Sequence, residues 1–222
     1  MVTPSPTEAP GRAALVDPEP TPTYGPGGAF TISCSTRIGA TPRACLDVLI
    51  TAAEYPTWNR FCRKCTIDSQ PEAASDSETE GSSNNQLRLG THFTFDVHMN
   101  LDDADGSTGQ AVALDVSVLE PIDEESSGAG GPRKGWRIAW KQRASLLMPG
   151  WMLRSERVQE FVEVPGSGEG GPETEYRCWE TFYGALAPVV KLAVGKQVQR
   201  GFDAWAEGLK ARAEGRAIVN AG

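Results

Sequence analysis

LAPVVKLAVGKQVQRGFDAWAEGLKARA, residues 186–213, is the stretch around which the rest of the chain has to be arranged. At helical spacing Val190, Val194, Val198, Phe202 (with Gly201 beside it), Trp205 and Leu209 fall on one stripe. Lys191, Lys196, Gln199, Arg200, Glu207 and Lys210 lie mostly off it, as an amphipathic helix requires. Pro188 stands where a first-turn proline is tolerated, and Gly215 follows a basic last turn. At about 1.5 Å per residue such a helix runs roughly 40 Å, so a broad surface has to cover its apolar stripe. Gly195, Gly201 and Gly208 interrupt it, each at a cost of about 1 kcal/mol against alanine. Two explanations are open: close packing against a sheet, or room left for a ligand.

The chain has 222 residues, enough for one domain with appendages or two small ones. Its net charge of −8 argues against nucleic acid, which needs a basic footprint. No stretch reaches the roughly 20 apolar residues of a transmembrane segment. The start, MVTPSPTEAPGRAALVDPEP, lacks the basic opening and apolar core of a secretory signal. The five cysteines are odd in number and irregularly spaced, which suits a reducing, cytoplasmic location.

Residues 1–28 are rich in proline and carry no apolar periodicity, so a disordered tail is expected there. One domain is expected over 29–214, with polar insertions at 69–88, 122–134 and 165–173, followed by a C-terminal tail at 215–222. Residues 30–38 alternate as a strand, and Thr41-Pro42 supplies an N-cap and first-turn proline for a short helix over 43–52. Tyr55, Trp58 and Phe61 are spaced to share a face in a second short helix or turn. Further strands are expected at 64–68, 90–100, 111–121, 135–143, 154–164 and 174–184. Within 90–100, Phe93, Phe95, Val97 and Met99 take one face, while His92 and His98 take the other and point to solvent. Within 111–121, Val112, Leu114, Val116 and Val118 share a side. Hairpin-length connections make the sheet antiparallel, with one face packed. The result is an α+β arrangement, a seven-stranded curved sheet wrapped around a long C-terminal helix.

Three stretches carry a family resemblance. Tyr55-Pro56-x-Trp58-Asn59, Gly90-Thr91-x-Phe93, and Tyr176-Arg177-x-Trp179-Glu180-Thr181-Phe182-x-Gly184 followed by Leu186-Ala187-Pro188 resemble the START-like, helix-grip superfamily. The last of them resembles its polyketide cyclase/dehydrase branch, and the likeness spans roughly residues 30–213. The resemblance implies a cavity between sheet and helix for a hydrophobic small molecule, such as a lipid, polyketide or aromatic metabolite. That family mixes carriers, receptors and cyclases, so fold does not decide among them.

Signatures of phosphate loops, dinucleotide folds, zincins and serine hydrolases are absent. Cys62-x-x-Cys65 has no second ligand pair to complete a zinc site and enters a strand rather than a helix. No metal or organic cofactor is implied. Glu180 is the most informative polar residue. Alternation groups it with Tyr176, Cys178 and Phe182, and leaves Arg177, Trp179, Thr181 and Tyr183 on the other face. If the first group faces inward, a carboxylate enters an apolar cleft and must be paired or have its pKa raised. Arg157 or Gln159 is placed to be its partner. Four roles are open for Glu180: a structural ion pair, a solvated outward ladder, a ligand anchor, or a catalytic base or acid acting with Tyr183. Trp58, Phe93, Phe95, Trp136, Trp140, Trp151, Val198, Phe202 and Trp205 are the expected apolar walls, with Arg157 and Glu180 as the polar contact. SLLMPGWML, residues 145–153, is apolar for a connection and reads as a gate over a cavity, or as a contact with a partner or, transiently, a membrane surface. Ligand binding is therefore the first expectation. The alternatives are a cyclase or dehydratase in which the pocket folds its substrate near the reactive geometry, and an adaptor that uses its outer sheet.

Overall fold

The computed structural model describes residues 11–71, 85–103, 107–124, 132–145, 149–166, 171 and 173–216. Its strands are β1 (Ala14–Val16), β2 (Phe30–Ile38), β3 (Cys62–Ser69), β4 (His92–Val97), β5 (Gln110–Glu124), β6 (Arg133–Gln142), β7 (Arg154–Val164) and β8 (Glu173–Tyr183). The helices are α1 (Pro42–Ile50), α2 (Tyr55–Trp58) and α3 (Ala187–Ala213), with a 3-10 turn at Ala52–Glu54 between the first two. All eight strands form one antiparallel sheet in the order β1-β2-β8-β7-β6-β5-β4-β3. Thr41 caps α1 by accepting from the Ala44 amide, and Pro42 follows it, as the sequence required. The sheet curves around α3, which presents Val198, Phe202, Trp205 and Leu209 to the interior.

Eight strands replace the seven expected, because part of the supposed tail is built into the sheet. Residues 14–16 pair with Thr31–Ser33 of β2, and the following segment straps the outer face. Glu19 N donates to Thr31 Oγ1 at 2.9 Å, and Thr181 Oγ1 donates to Glu19 O at 2.8 Å. The strap covers a small outer cluster of Val118, Ala139, Val158 and Trp179, whose indole donates to Pro20 O. It is held through main-chain and threonine groups, which hydrophobic periodicity does not register. Residues 1–10 of the expected tail, and 217–222 at the other end, lie outside the described residues.

Two further expectations change with the path of the backbone. A bulge between Val116 and Val118 turns Val118 to the outer cluster and Leu119 inward. β4 ends at Val97, so His98 leaves the alternation and is buried rather than solvated, with Nε2 3.0 Å from Asp96. His92 remains outside, paired with Asp115. The insertions are narrower than expected. Leu87 is buried with its amide bound to Ile50 O, Ile122 is buried in a β5 that runs on to Glu124, and β8 starts at Glu173. The remainders at 72–84, 125–131, 167–170 and 172 lie outside the described residues.

Candidate functional site

The alternation of β7 and β8 turns Arg157, Gln159 and Phe161, and Tyr176, Cys178, Glu180 and Phe182, toward α3. Arg157 and Glu180 are directly opposite in the ladder. Arg157 Nε and Nη2 both donate to Glu180 Oε2, at 3.0 and 2.8 Å. Glu180 Oε1 takes no protein donor among the described residues. The guanidinium carbon lies 4.1 Å from the Phe202 ring centroid and 5.2 Å from that of Trp205, so α3 closes over the cation. Burial drives the Arg157 pKa down, but the Glu180 carboxylate outweighs it and leaves the guanidinium above its ordinary range. Arg157 therefore stays charged and acts as the fixed counterion of Glu180. The pair is not sealed: 13% of the Glu180 side chain and 8% of the Arg157 side chain remain exposed.

Gln159, the other partner considered for Glu180, instead accepts from the Tyr176 hydroxyl at 2.7 Å, leaving its own Nε2 without a partner. Cys62 is also near the ion pair. Burial pushes its thiol up to about 12, with Arg157 opposing and Glu180 adding to the effect. The bulge between Cys62 and Lys64 explains why Cys62 and Cys65 both point inward despite their odd spacing.

Apart from Phe202, which lies against Arg157, the expected aromatic walls divide into three groups. Trp58, Phe93, Phe95, Trp140 and Trp205 interlock with Tyr55 edge to face or tilted, at centroid separations from 4.9 to 5.8 Å. All six are buried, and the assembly is a filled core at the α2 end of the grip. Trp136 is half-buried under the Arg43 guanidinium, 5.3 Å from its centroid. Trp151 is 70% exposed and lines no interior wall. Leu146, Leu147 and Met148 of the apolar connection lie outside the described residues.

Space is found at the opposite end of α3, and the glycines report it. A Cβ on Gly208 would stand 2.2 Å from Trp58 O, and one on Gly201 would stand 2.5 Å from the Phe61 ring. These two glycines permit close packing. Gly195 is buried as well, yet a Cβ there would meet no atom within 4 Å. Its position is fixed by its neighbours. Phe202 touches Arg157, while Lys191 lies 5.9 Å over the Phe30 ring, which stacks on Phe182 at 4.6 Å. Along α3, Gly195 and Val198 lie between the residues that make those contacts. Close packing therefore accounts for Gly201 and Gly208, whereas Gly195 has open space beside it.

Tyr183 is on the far side of the sheet from Glu180. Its hydroxyl contacts Thr21 Oγ1 at 3.1 Å and donates to Gly25 O at 2.8 Å, and its ring meets Tyr24 edge-on. Burial, the largest influence, raises its pKa. It cannot share a proton-transfer step with Glu180, because the sheet separates them. Beside it Glu156 is buried and accepts from Thr23 N, Thr23 Oγ1 and Ser117 Oγ, which locks the strap to the outer face.

No family model matches the chain. A curated relative, oxopyrrolidines biosynthesis cluster protein O of Penicillium oxalicum, is 29% identical over 191 residues, 85% of this chain and 88% of that protein. Among solved structures, the Zhui aromatase/cyclase from Streptomyces sp. R1128 matches with a TM-score of 0.50 at 13% identity, over 86% of this chain and 98% of that one. A hypothetical protein from Helicobacter pylori matches with a TM-score of 0.50 at 15% identity, over 82% and 86%. A START superfamily protein from Mycobacterium smegmatis gives 0.47 at 15% identity, over 83% and 97%. The long helix gripped by an antiparallel sheet is thus a fold that the Zhui aromatase/cyclase shares.

Proposed function

We propose that this protein binds a hydrophobic small molecule between α3 and the sheet, at the end defined by Gly195, Val198, Phe202 and Phe182, with Glu180 as the polar contact. One observation carries the reading. An ion pair is turned into an apolar interior, keeps part of its surface open, and lies along a stretch of α3 whose buried glycine faces unfilled space. In a closed core such a pair gains little over apolar residues of the same volume. Beside a ligand it has a use, since Arg157 holds the carboxylate in place while Oε1 remains available to accept. The ligand is therefore apolar over most of its surface and donates one O–H or N–H toward Glu180. The relative named for an oxopyrrolidines biosynthesis cluster supports a biosynthetic setting.

A second reading keeps the pocket and makes the same carboxylate a general base of a cyclase or dehydratase, on the fold that the Zhui aromatase/cyclase also has. Binding is the better supported of the two, because Tyr183, the second proton carrier that reading called for, is on the outer face.

Thermal shifts with aromatic and polyketide-like compounds, paired as hydroxylated and deoxygenated analogues, test the proposal. Wild type should prefer the hydroxylated members, with stabilisation of about 2.7 kcal/mol when ligand exceeds its Kd about a hundredfold. The double variant Arg157→Met/Glu180→Leu removes both charges together and should lose that preference while still binding the apolar analogues. Absence of any shift in wild type overturns the pocket. An unchanged preference in the double variant overturns the role of Glu180.

A further inference from the structure

We propose that the outer face of the first half of α3, together with Trp151, docks on an anionic lipid bilayer surface. Among the described residues, Trp151, Val189 and Leu192 are 70%, 58% and 89% exposed. They belong to one end of the molecule: Ala185 N donates to Trp151 O and Leu186 N donates to Met152 O, which sets the 149–153 turn against the start of α3. Val189, Leu192 and Lys196 follow one another at helical spacing on the stripe opposite Val198 and Phe202, and Arg200 continues that stripe. The outer stripe is thus apolar for its first turns and basic after them.

Charge decides what this face meets. The whole chain carries a net charge of −8, yet residues 184–202 contain no carboxylate, and Lys191 and Lys196 are exposed there without an ion pair among the described residues, with Arg200 beyond them 3.7 Å from Asp102. A cationic island with protruding aliphatic and indole side chains, on a protein otherwise repelled by anionic surfaces, matches the chemistry of interfacial helices. Tryptophan favours the headgroup boundary for the same reason, being apolar in its body and polar at its N–H. No helix among the described residues is long and apolar enough to cross a membrane, so the contact lies in the interface plane. The face stands next to the Gly195 end of the interior, so docking would bring a membrane-dissolved ligand to that end of the proposed binding site. The surface itself does not depend on what the interior holds.

Co-sedimentation of the full chain with phosphatidylcholine vesicles, with and without phosphatidylglycerol, tests the proposal. Wild type should pellet with the anionic vesicles, and less so as salt is raised. Leu192→Glu and Lys196→Glu, both at exposed positions, should each lower the bound fraction about fivefold while melting as wild type does. Failure to pellet with anionic vesicles overturns the proposal, and points the same face toward an acidic protein instead. Equal binding to neutral vesicles, or variants that bind as wild type, also overturns it.

Discussion

Gly195, Gly201 and Gly208 share one helix and one kind of environment by sequence, but three dimensions separate them. A methyl group on Gly208 would collide with the Trp58 carbonyl, and one on Gly201 with the Phe61 ring. A methyl group on Gly195 meets nothing. Gly195→Ala should therefore stabilise the free protein by about 0.5–1 kcal/mol, the helix-propensity difference. Gly208→Ala should destabilise it by about 1–3 kcal/mol, the cost of overpacking a filled site. Urea unfolding of the two variants checks this, and an equal loss in both would show that the flank of Gly195 is filled. At the same scale, Glu180 illustrates a limit of alternation. Period two sorted its neighbours into two faces, but aromatic residues stand on both, Tyr176 and Phe182 on one and Trp179 and Tyr183 on the other. Only packing against α3 shows which face is inner.

Among the elements, β6 and β7 are tied together on their outer face by Glu160, which accepts from Arg137 at 2.9 and 2.7 Å and from Arg133 at 2.7 Å, and the same arginines reach β5 through Glu120 and Glu124. Burial alone would raise the Glu160 pKa, but the two guanidinium groups outweigh it and hold the carboxyl below its ordinary value of 4.5. A depressed carboxyl contributes stability above its unfolded pKa and loses that contribution as pH falls through the folded value. Wild type should therefore lose stability below about pH 4.5 in urea unfolding. Glu160→Gln should be less stable at neutral pH by about 2 kcal/mol, with the gap closing in acid. A gap that stays constant down to about pH 3 would contradict the assignment. The strands that carry this ladder were legible from the sequence, β7 to the residue. The strap was not, because it binds by backbone and threonine groups and hides in a proline-rich segment. The faces of Val118 and His98 were also missed, since a bulge and a strand end each reset the alternation without a signal in residue type.

For the whole molecule, the order of elements and the long gripped helix could be read from hydrophobic period and turn chemistry, and the fold followed. The site was only partly legible. Arg157 pairs with Glu180 and Phe202 lies over its guanidinium, whereas Trp58, Phe93, Phe95, Trp140 and Trp205 close into a core and Trp151 faces outward. Aromatic content marks where a sheet and helix pack, but it does not separate a filled interior from a vacant one. The vacancy is marked instead by a glycine with nothing beside it and by a charged pair with open surface.

Titration of the uncharged reporter N-phenylnaphthylamine into wild type and Gly195→Leu, followed by its fluorescence, tests ligand binding beside α3 most directly. Wild type should show saturable enhancement. Gly195→Leu, with its side chain occupying the vacant flank, should fold and bind about tenfold more weakly, a difference of roughly 1.4 kcal/mol. Binding by Gly195→Leu as tight as that of wild type, or no saturable binding by folded wild type, would contradict a pocket at this end of the helix.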